Sequence, residues 1–114
     1  MKKKIDSFFD NYVNFLSSSL LQIDKKSLDN AANAIYKKIK NQSTIFVCGN
    51  GGSAAISNHY ICDFLKFFRE KTKLKPKMIS LSDNIETIMA ISNDIDYKYV
   101  FSYQAESLCK KNDL

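Results

Sequence analysis

The sequence predicts an α/β fold built on a parallel sheet. Two short, mainly apolar runs, 44–48 and 78–81, are typical of strands, and the first is rich in β-branched residues. A helical pattern lies between them, and a loop that holds every glycine of the chain joins the first run to that helix. A strand–helix–strand unit of this length places its two strands parallel in one sheet.

Two helices are predicted ahead of the first strand. Between residues 4 and 21 the apolar side chains recur at three- and four-residue spacings, and a second helix begins near Asp24, a good N-cap residue, and runs to about Lys40. The first stripe suits a helix-bundle interface, and packing within the chain explains it equally well. Its members are Ile5, Phe8, Phe9, Tyr12, Phe15, Leu16 and Leu20.

The α/β part follows in alternating elements. The continuous apolar run 44–48 predicts a strand buried on both faces, and with it a buried free thiol at Cys48. The later elements are a helix over 53–68, a strand over 78–81, a short helix capped by Asp83 or Asn84 and ending at Ala90, and a helix over 97–109.

The length of 114 residues suits one small domain, 1–114, with a helical region 1–41 and an α/β region 42–114. A two-stranded parallel sheet is smaller than sheets of this class, whose strands need neighbours on both sides. Residues 111–114 have the composition of a turn leading into a further strand. We therefore expect the chain to be truncated and to hold the first half of the α/β core.

Composition excludes several classes of protein. No apolar run approaches the roughly 18 residues of a membrane span, and aspartates interrupt the segment after the basic N-terminus, so we expect a cytoplasmic protein without a signal peptide. The three cysteines form no C-x-x-C pair, which argues against disulfides and zinc ribbons. The net charge of +5, much of it between Lys66 and Lys77, favours a surface that attracts anionic metabolites over a nucleic-acid site.

The glycine loop has the sequence G-N-G-G-S, from Gly49 to Ser53. A strand, a glycine-rich turn and a helix start together present free backbone N–H groups and the positive end of a helix dipole, which suits an anion such as phosphate. The loop lacks the lysine and the spacing of a Walker A motif and the third glycine of a dinucleotide-binding motif. A tight turn without a ligand remains the alternative.

The segment CGNGGSAAISNHYICDFLKFFRE resembles the N-terminal signature of the phosphoheptose isomerases, within the sugar isomerase (SIS) domain superfamily. The later ISLSDNIETIMAISNDIDYKYVFSYQAESL is similar to the next block of that family. The resemblance implies a three-layer α/β/α, flavodoxin-like or Rossmann-like SIS fold and a homotetramer assembled through the N-terminal helices. It also implies isomerisation of sedoheptulose 7-phosphate to D-glycero-D-manno-heptose 7-phosphate, for heptose and surface polysaccharide biosynthesis.

The resemblance implies roles for eight residues. His59 and Asp63 would bind a metal, usually zinc, and Asp63 would also take part in the proton transfers. These two residues stand four apart, so they share one helix face. The phosphosugar would be held by Asn50, Gly51, Gly52 and Ser53, with further contacts from Asn93 and Asp94.

Two departures from the family pattern bear on activity. Asp63 stands where the family usually has glutamate, whose side chain reaches about 1.5 Å further; Cys62 beside it is either a packing residue or a soft ligand. The family's second phosphate loop and a catalytic histidine would follow Leu114, so we expect the 114 residues alone to be inactive. The alternatives are a non-catalytic SIS module that binds a phosphosugar or a protein, like the replication-initiator-associating members, and a decayed isomerase.

Overall fold

The computed structural model describes residues 2–114, which form helices and a small parallel sheet. The chain divides into two compact units, Met1–Asn33 and Ala34–Leu114, and the boundary falls within the second helix. The α/β class, the parallel sheet and the two N-terminal helices are confirmed. No helix among residues 2–114 is both long and apolar enough to span a membrane.

The N-terminal helices are α1 (Lys2–Leu21) and α2 (Lys25–Lys40). Asp24 caps α2 as predicted: its carboxylate accepts hydrogen bonds from the N–H groups of Lys26, at 3.2 Å, and Ser27, at 3.0 Å. The Ser27 hydroxyl also donates to it, at 2.6 Å. These donors, the hydroxyl foremost, lower the pKa of Asp24 because they favour the carboxylate. The apolar stripe of α1 is exposed along its length.

The sheet consists of β1 (Thr44–Val47) and β2 (Lys77–Ser80), paired in parallel with Ile45 opposite Met78. The other edge of β1 is contacted by Leu114. Its N–H donates to the Thr44 carbonyl at 3.0 Å, and its carbonyl accepts from the Phe46 N–H at 2.8 Å. This pair of bonds is that of a parallel strand, so β1 lies between β2 and Leu114.

The helix after β1 changes its winding partway. It begins as α3 (Gly52–Cys62), continues as a π-helical segment (Asp63–Phe68) and ends as the short α4 (Arg69–Thr72). Tyr60, Phe64 and Phe68 pack in a row along it, with ring centroids 4.7 and 5.0 Å apart. This aromatic row packs against the buried cluster of Ile39, Ile45 and Met78, so the end of α2 and the helix after β1 pack on one face of the sheet.

After β2 the chain forms α5 (Ile85–Ile91), a π-helical segment (Ser92–Asp96), a 3₁₀ turn (Tyr97–Tyr99) and α6 (Ser102–Leu108). Asn84 caps α5, as predicted, by accepting the Thr87 N–H at 2.8 Å. The predicted helix 97–109 is wrong in its first turns. Asp96 is extended and its carboxylate accepts the Lys98 N–H at 3.0 Å, which starts a separate 3₁₀ turn instead.

The predicted burial of Cys48 is also wrong, because its side chain is exposed. The strand ends at Val47, and Cys48 already belongs to the loop. Nor is β1 buried on both faces: Phe46 is half-buried, and Ile79 beside it on β2 is exposed. An apolar run indicates that a strand suits a buried position. Whether the strand is buried depends on which neighbouring elements cover it.

Candidate functional site

The candidate site lies at the carboxyl-terminal end of the sheet, where both strands end. The strands are parallel, so the glycine loop that follows β1 and the residues that follow β2 leave the sheet at the same edge. In open α/β sheets this edge forms the crevice in which ligands bind. The chain therefore brings the glycine loop and the segment beginning at Leu81 together at a position suited to a small ligand.

Gly51 sets the shape of the glycine loop. It has φ +53° and ψ −123°, a conformation open to glycine, and it is the N-cap residue of α3. Its carbonyl accepts the Ala54 N–H at 3.1 Å, and the Asn50 carbonyl accepts the Ser53 N–H at 2.9 Å. Ser53 is therefore inside the helix, where its side chain does not serve as the cap of α3.

The loop leaves hydrogen-bond donors free. Among residues 2–114, no acceptor is bonded to the backbone N–H of Asn50, Gly51 or Gly52, nor to the hydroxyl of the exposed Ser53. These are the four residues proposed from the sequence to hold the phosphosugar. Unpaired N–H groups at the start of an eleven-residue helix attract an anion through their own dipoles and through the helix dipole.

Gly49 and Ser82 connect the two loops of this edge. The Ser82 hydroxyl donates to the Gly49 carbonyl and accepts from the Gly49 N–H, both at 2.9 Å. Sequence reasoning assigned Ser82 to no role. The available signal was its position directly after the predicted strand 78–81, at the same end of the sheet as the glycine loop.

His59 and Asp63 lie one turn apart, beyond the first turns of α3. Their Nε2 and Oδ1 atoms are 3.7 Å apart, and the side chains are 77% and 58% exposed. The predicted common face is confirmed by this contact. Cys62 next to them is exposed, so it is not a packing residue in this chain.

A zinc ion takes roughly three or four protein ligands. In the part of the chain that the structure describes, no three His, Cys, Asp or Glu side chains are grouped closely enough to hold a metal. His59 and Asp63 have the right chemistry for two ligands, and the set is incomplete within residues 2–114.

Asn93 and Asp94 occupy the π-helical segment after α5, and both are exposed. The Asn93 amide donates to the Asp94 carboxylate at 2.8 Å. No hydrogen bond among residues 2–114 links either side chain to the glycine loop, and the seven residues of α5 separate them from the sheet edge. The structure thus groups Asn50–Ser53, pairs His59 with Asp63 and joins Asn93 to Asp94, and among residues 2–114 no hydrogen bond links the Asn93 and Asp94 side chains to the other two groups.

Two open grooves lie elsewhere in the unit 34–114. One, of about 500 Å³, is bounded by β2, α5 and α6, with Asp83 and Asn84 at one end. The other, of about 610 Å³, carries most of the predicted basic segment: it is lined by Leu65, Lys66, Arg69, Glu70, Lys73 and Lys75. Neither includes a residue of the glycine loop.

Comparison with known families matches residues 7–114 to the SIS domain. Among curated relatives, the phosphoheptose isomerase of Helicobacter hepaticus is 38% identical over 89 residues, covering 77% of this chain and 44% of that protein. The phosphoheptose isomerase of Campylobacter concisus is 32% identical over 106 residues, covering 93% of this chain and 51% of that protein. The chain spans about half the length of the curated relatives it matches.

Solved structures give the same likeness. A phosphoheptose isomerase from Francisella tularensis superposes with a TM-score of 0.82 at 26% identity, covering 97% of this chain and 57% of the other. The phosphoheptose isomerase from Neisseria gonorrhoeae gives a TM-score of 0.80 at 22% identity, covering 98% and 56%. The second likeness is one of fold.

Proposed function

The chain belongs to the SIS domain family, and on that basis we propose that it provides the phosphosugar-binding part of an aldose–ketose isomerase. The proposed reaction is the conversion of sedoheptulose 7-phosphate to D-glycero-D-manno-heptose 7-phosphate, in the cytoplasm, for heptose and surface polysaccharide biosynthesis. The observation that carries the proposal is the glycine loop, with its free N–H groups at the start of α3. The names of the relatives supply the substrate.

In this proposal the glycine loop binds the phosphate group of the sugar. The N–H groups of Asn50, Gly51 and Gly52 and the Ser53 hydroxyl donate to phosphate oxygens. A side chain at position 51 would have to adopt the φ of +53°, which favours glycine. The net charge of +5 favours the approach of an anionic substrate through the field of the whole chain.

The isomerisation requires a base that removes a proton from the carbon beside the carbonyl, giving an enediolate. The Asp63 carboxylate is the candidate base, because it lies on the helix that begins at the glycine loop and is exposed to an incoming ligand. His59, 3.7 Å from it, is a candidate proton donor or ligand. Asn93 and Asp94 are proposed to contact the sugar hydroxyls.

We extend the proposal to zinc, with His59 and Asp63 as two of its ligands. A bound zinc would stabilise negative charge on the substrate oxygen. Since residues 2–114 supply an incomplete ligand set, at least one further ligand has to come from outside them or from a second copy.

The binding proposal is tested by calorimetric titration of the 114-residue chain with sedoheptulose 7-phosphate. We expect saturable binding, with weaker binding of inorganic phosphate and still weaker binding of unphosphorylated sedoheptulose. Replacing Gly51→Ala should weaken the phosphosugar affinity by about tenfold, since a strained loop costs roughly one to three kcal/mol. Equal affinity for sedoheptulose and its 7-phosphate would refute a phosphate site at the loop.

A second candidate is a module that binds the phosphosugar without converting it. The high exposure of the His59–Asp63 pair favours this candidate, because catalytic bases are usually tuned by partial burial. The shorter reach of Asp63 favours it too. We expect the 114-residue chain to bind but not to isomerise; product formation that requires Asp63 would select the enzyme.

A homo-oligomer, a tetramer as in the family, is proposed as the assembly. Its support is the exposed apolar stripe of α1, whose large aromatic side chains are costly to leave in water.

A further inference from the structure

Ser82 makes an unusual pair of hydrogen bonds for a single hydroxyl. The group donates to the carbonyl and accepts from the N–H of the same residue, Gly49, at 2.9 Å in both directions. The two residues are 33 positions apart and follow different strands. A hydroxyl offers one hydrogen and two lone pairs, so both of its functions are engaged in holding one peptide segment.

The segment that carries Ser82 is itself fixed from two directions. The Ser82 N–H donates to the hydroxyl of Ser80, the last residue of β2, at 3.0 Å. The Gln104 amide, on α6, donates to the carbonyls of Leu81 at 3.0 Å and Val100 at 2.6 Å. Ser80, Ser82 and Gln104 take part through side-chain atoms, and Leu81 and Val100 through their carbonyls. All five residues are buried, where hydrogen bonds are costly to leave unmade. Ser82 is therefore a fixed point rather than a mobile loop residue.

Gly49, the first residue of the glycine loop, is in turn in close contact with the start of α3. A Cβ built on Gly49 would stand 2.6 Å from the Ser53 carbonyl carbon and oxygen and 2.7 Å from its Cβ. The backbone of Gly49 is thus packed directly on the first turn of α3. A shift of Gly49 towards α3 has to displace Ser53, one of the proposed phosphate-binding residues.

From this chain of contacts we propose that Ser82 is a positioning residue for the glycine loop. It holds Gly49, and through Gly49 it sets the position of Ser53 and the start of α3, without itself touching the ligand. The proposal rests on the proposed phosphosugar site for its functional meaning. In the alternative, Ser82 only stabilises the whole unit 34–114. It then has no particular effect on the position of the glycine loop.

Ser82→Ala removes both bonds to Gly49, and Ser82→Cys keeps the volume but offers a weak donor and a weak acceptor. Ser57→Ala is the matched control: Ser57 is 8% exposed against 7% for Ser82, and its hydroxyl donates to the Ser53 carbonyl within α3, joining no second loop. The first measurement is hydrogen exchange of the Ser53 and Ala54 amides in the 114-residue chain without ligand. These amides donate to the carbonyls of Asn50 and Gly51, so their exchange rates measure the order of the loop and not the loss of the Ser82–Gly49 bonds themselves.

We expect Ser82→Ala to accelerate exchange at Ser53 and Ala54 by about tenfold, Ser82→Cys by less, and Ser57→Ala not at all. The second measurement is the affinity for sedoheptulose 7-phosphate, which should fall in the same order. If Ser82→Ala does not fold, the graded effect of Ser82→Cys decides.

Unchanged exchange at Ser53 and Ala54, with a change at the Gly49 amide alone, would overturn the proposal. So would an equal acceleration at core amides such as that of Ile45, because this is the signature of general destabilisation. A wild-type chain that fails to bind the phosphosugar would refute the proposed function, while the exchange data would still decide whether Ser82 positions the loop.

Discussion

At Gly49 the main chain passes close enough to Ser53 to leave no room for a side chain. The neighbouring atoms are the Ser53 carbonyl group and its Cβ, so relief requires movement of the helix start and not of a flexible side chain. Gly52, three residues on, faces open space, with nothing within 4 Å of a Cβ built on it. The two glycines therefore offer a matched pair of substitutions in one loop.

Gly49→Ala should lower the free energy of unfolding by about 1–3 kcal/mol, the usual cost of forcing an extra group into a packed site. Gly52→Ala should change it by less than about 1 kcal/mol and in the stabilising direction, because alanine favours the helix and meets no atom. The measurement is urea denaturation followed by circular dichroism. Equal effects of the two substitutions would contradict the close contact at Gly49.

Single residues were predictable where one local rule determines them. Asp24 and Asn84 have the side chains that cap helices, and the structure uses both in that way. Cys48 and Ser82 were not predictable, because their environments depend on distant residues. The thiol is exposed since the strand ends before it, and the Ser82 hydroxyl finds its partner across 33 positions.

At the scale of elements, the sequence predicts the order of helices and strands but not their winding. The aromatic row of Tyr60, Phe64 and Phe68 has ordinary helical spacing, yet residues 63–68 are π-helical. A π-turn takes an extra residue per turn, and propensity carries no signal for it. The spacing alone predicts one regular helix, so the register beyond Asp63 could not be predicted.

The C-terminal turn is held to the sheet by Asp113. Its carboxylate accepts the Thr44 N–H at 2.8 Å and the Lys110 N–H at 2.9 Å, and Leu114 then bonds to the free edge of β1. These donors, that of Lys110 foremost, lower the pKa of Asp113 below its ordinary value of 3.8. Residues 111–114, predicted to form a turn into a strand, thus place one residue on the sheet edge.

Asp113→Ala should release Leu114 from β1 and speed hydrogen exchange of the Thr44 and Phe46 amides, with Glu106→Ala as the control that removes an exposed carboxylate elsewhere. Since the folded pKa is lowered, the carboxylate stabilises the fold at pH values above 3.8, and this contribution is lost as the pH falls through the lower, folded pKa. The stability difference between wild type and Asp113→Ala should therefore be constant near neutral pH and shrink in acid. A difference that grows in acid would contradict this role.

For the whole molecule, the order of strand and helix patterns was enough to predict the α/β class, because these patterns are short-range signals. The anion site at the glycine loop stays a prediction. The relation of Asn93 and Asp94 to the loop was not predictable from sequence spacing. The structure places this pair after α5 and joins the two side chains to each other, and their contact with a sugar stays a proposal.

The exposed stripe of α1 makes assembly the property of the whole molecule that is most open to test. Phe8 and Phe15 are 69% and 70% exposed, and burying such side chains is worth about 1.5–3 kcal/mol each. We expect light scattering of the wild-type chain to give a multiple of 13.0 kDa, fourfold for the proposed tetramer. The double substitution Phe8→Asp with Phe15→Asp should lower that mass, because a buried interface cannot accept unpaired carboxylates. Phe67→Asp, at an exposed aromatic residue outside α1, should leave it unchanged. A monomeric wild type would refute the proposed assembly. An assembly that Phe67→Asp disrupts and the α1 substitutions do not would place the interface outside α1.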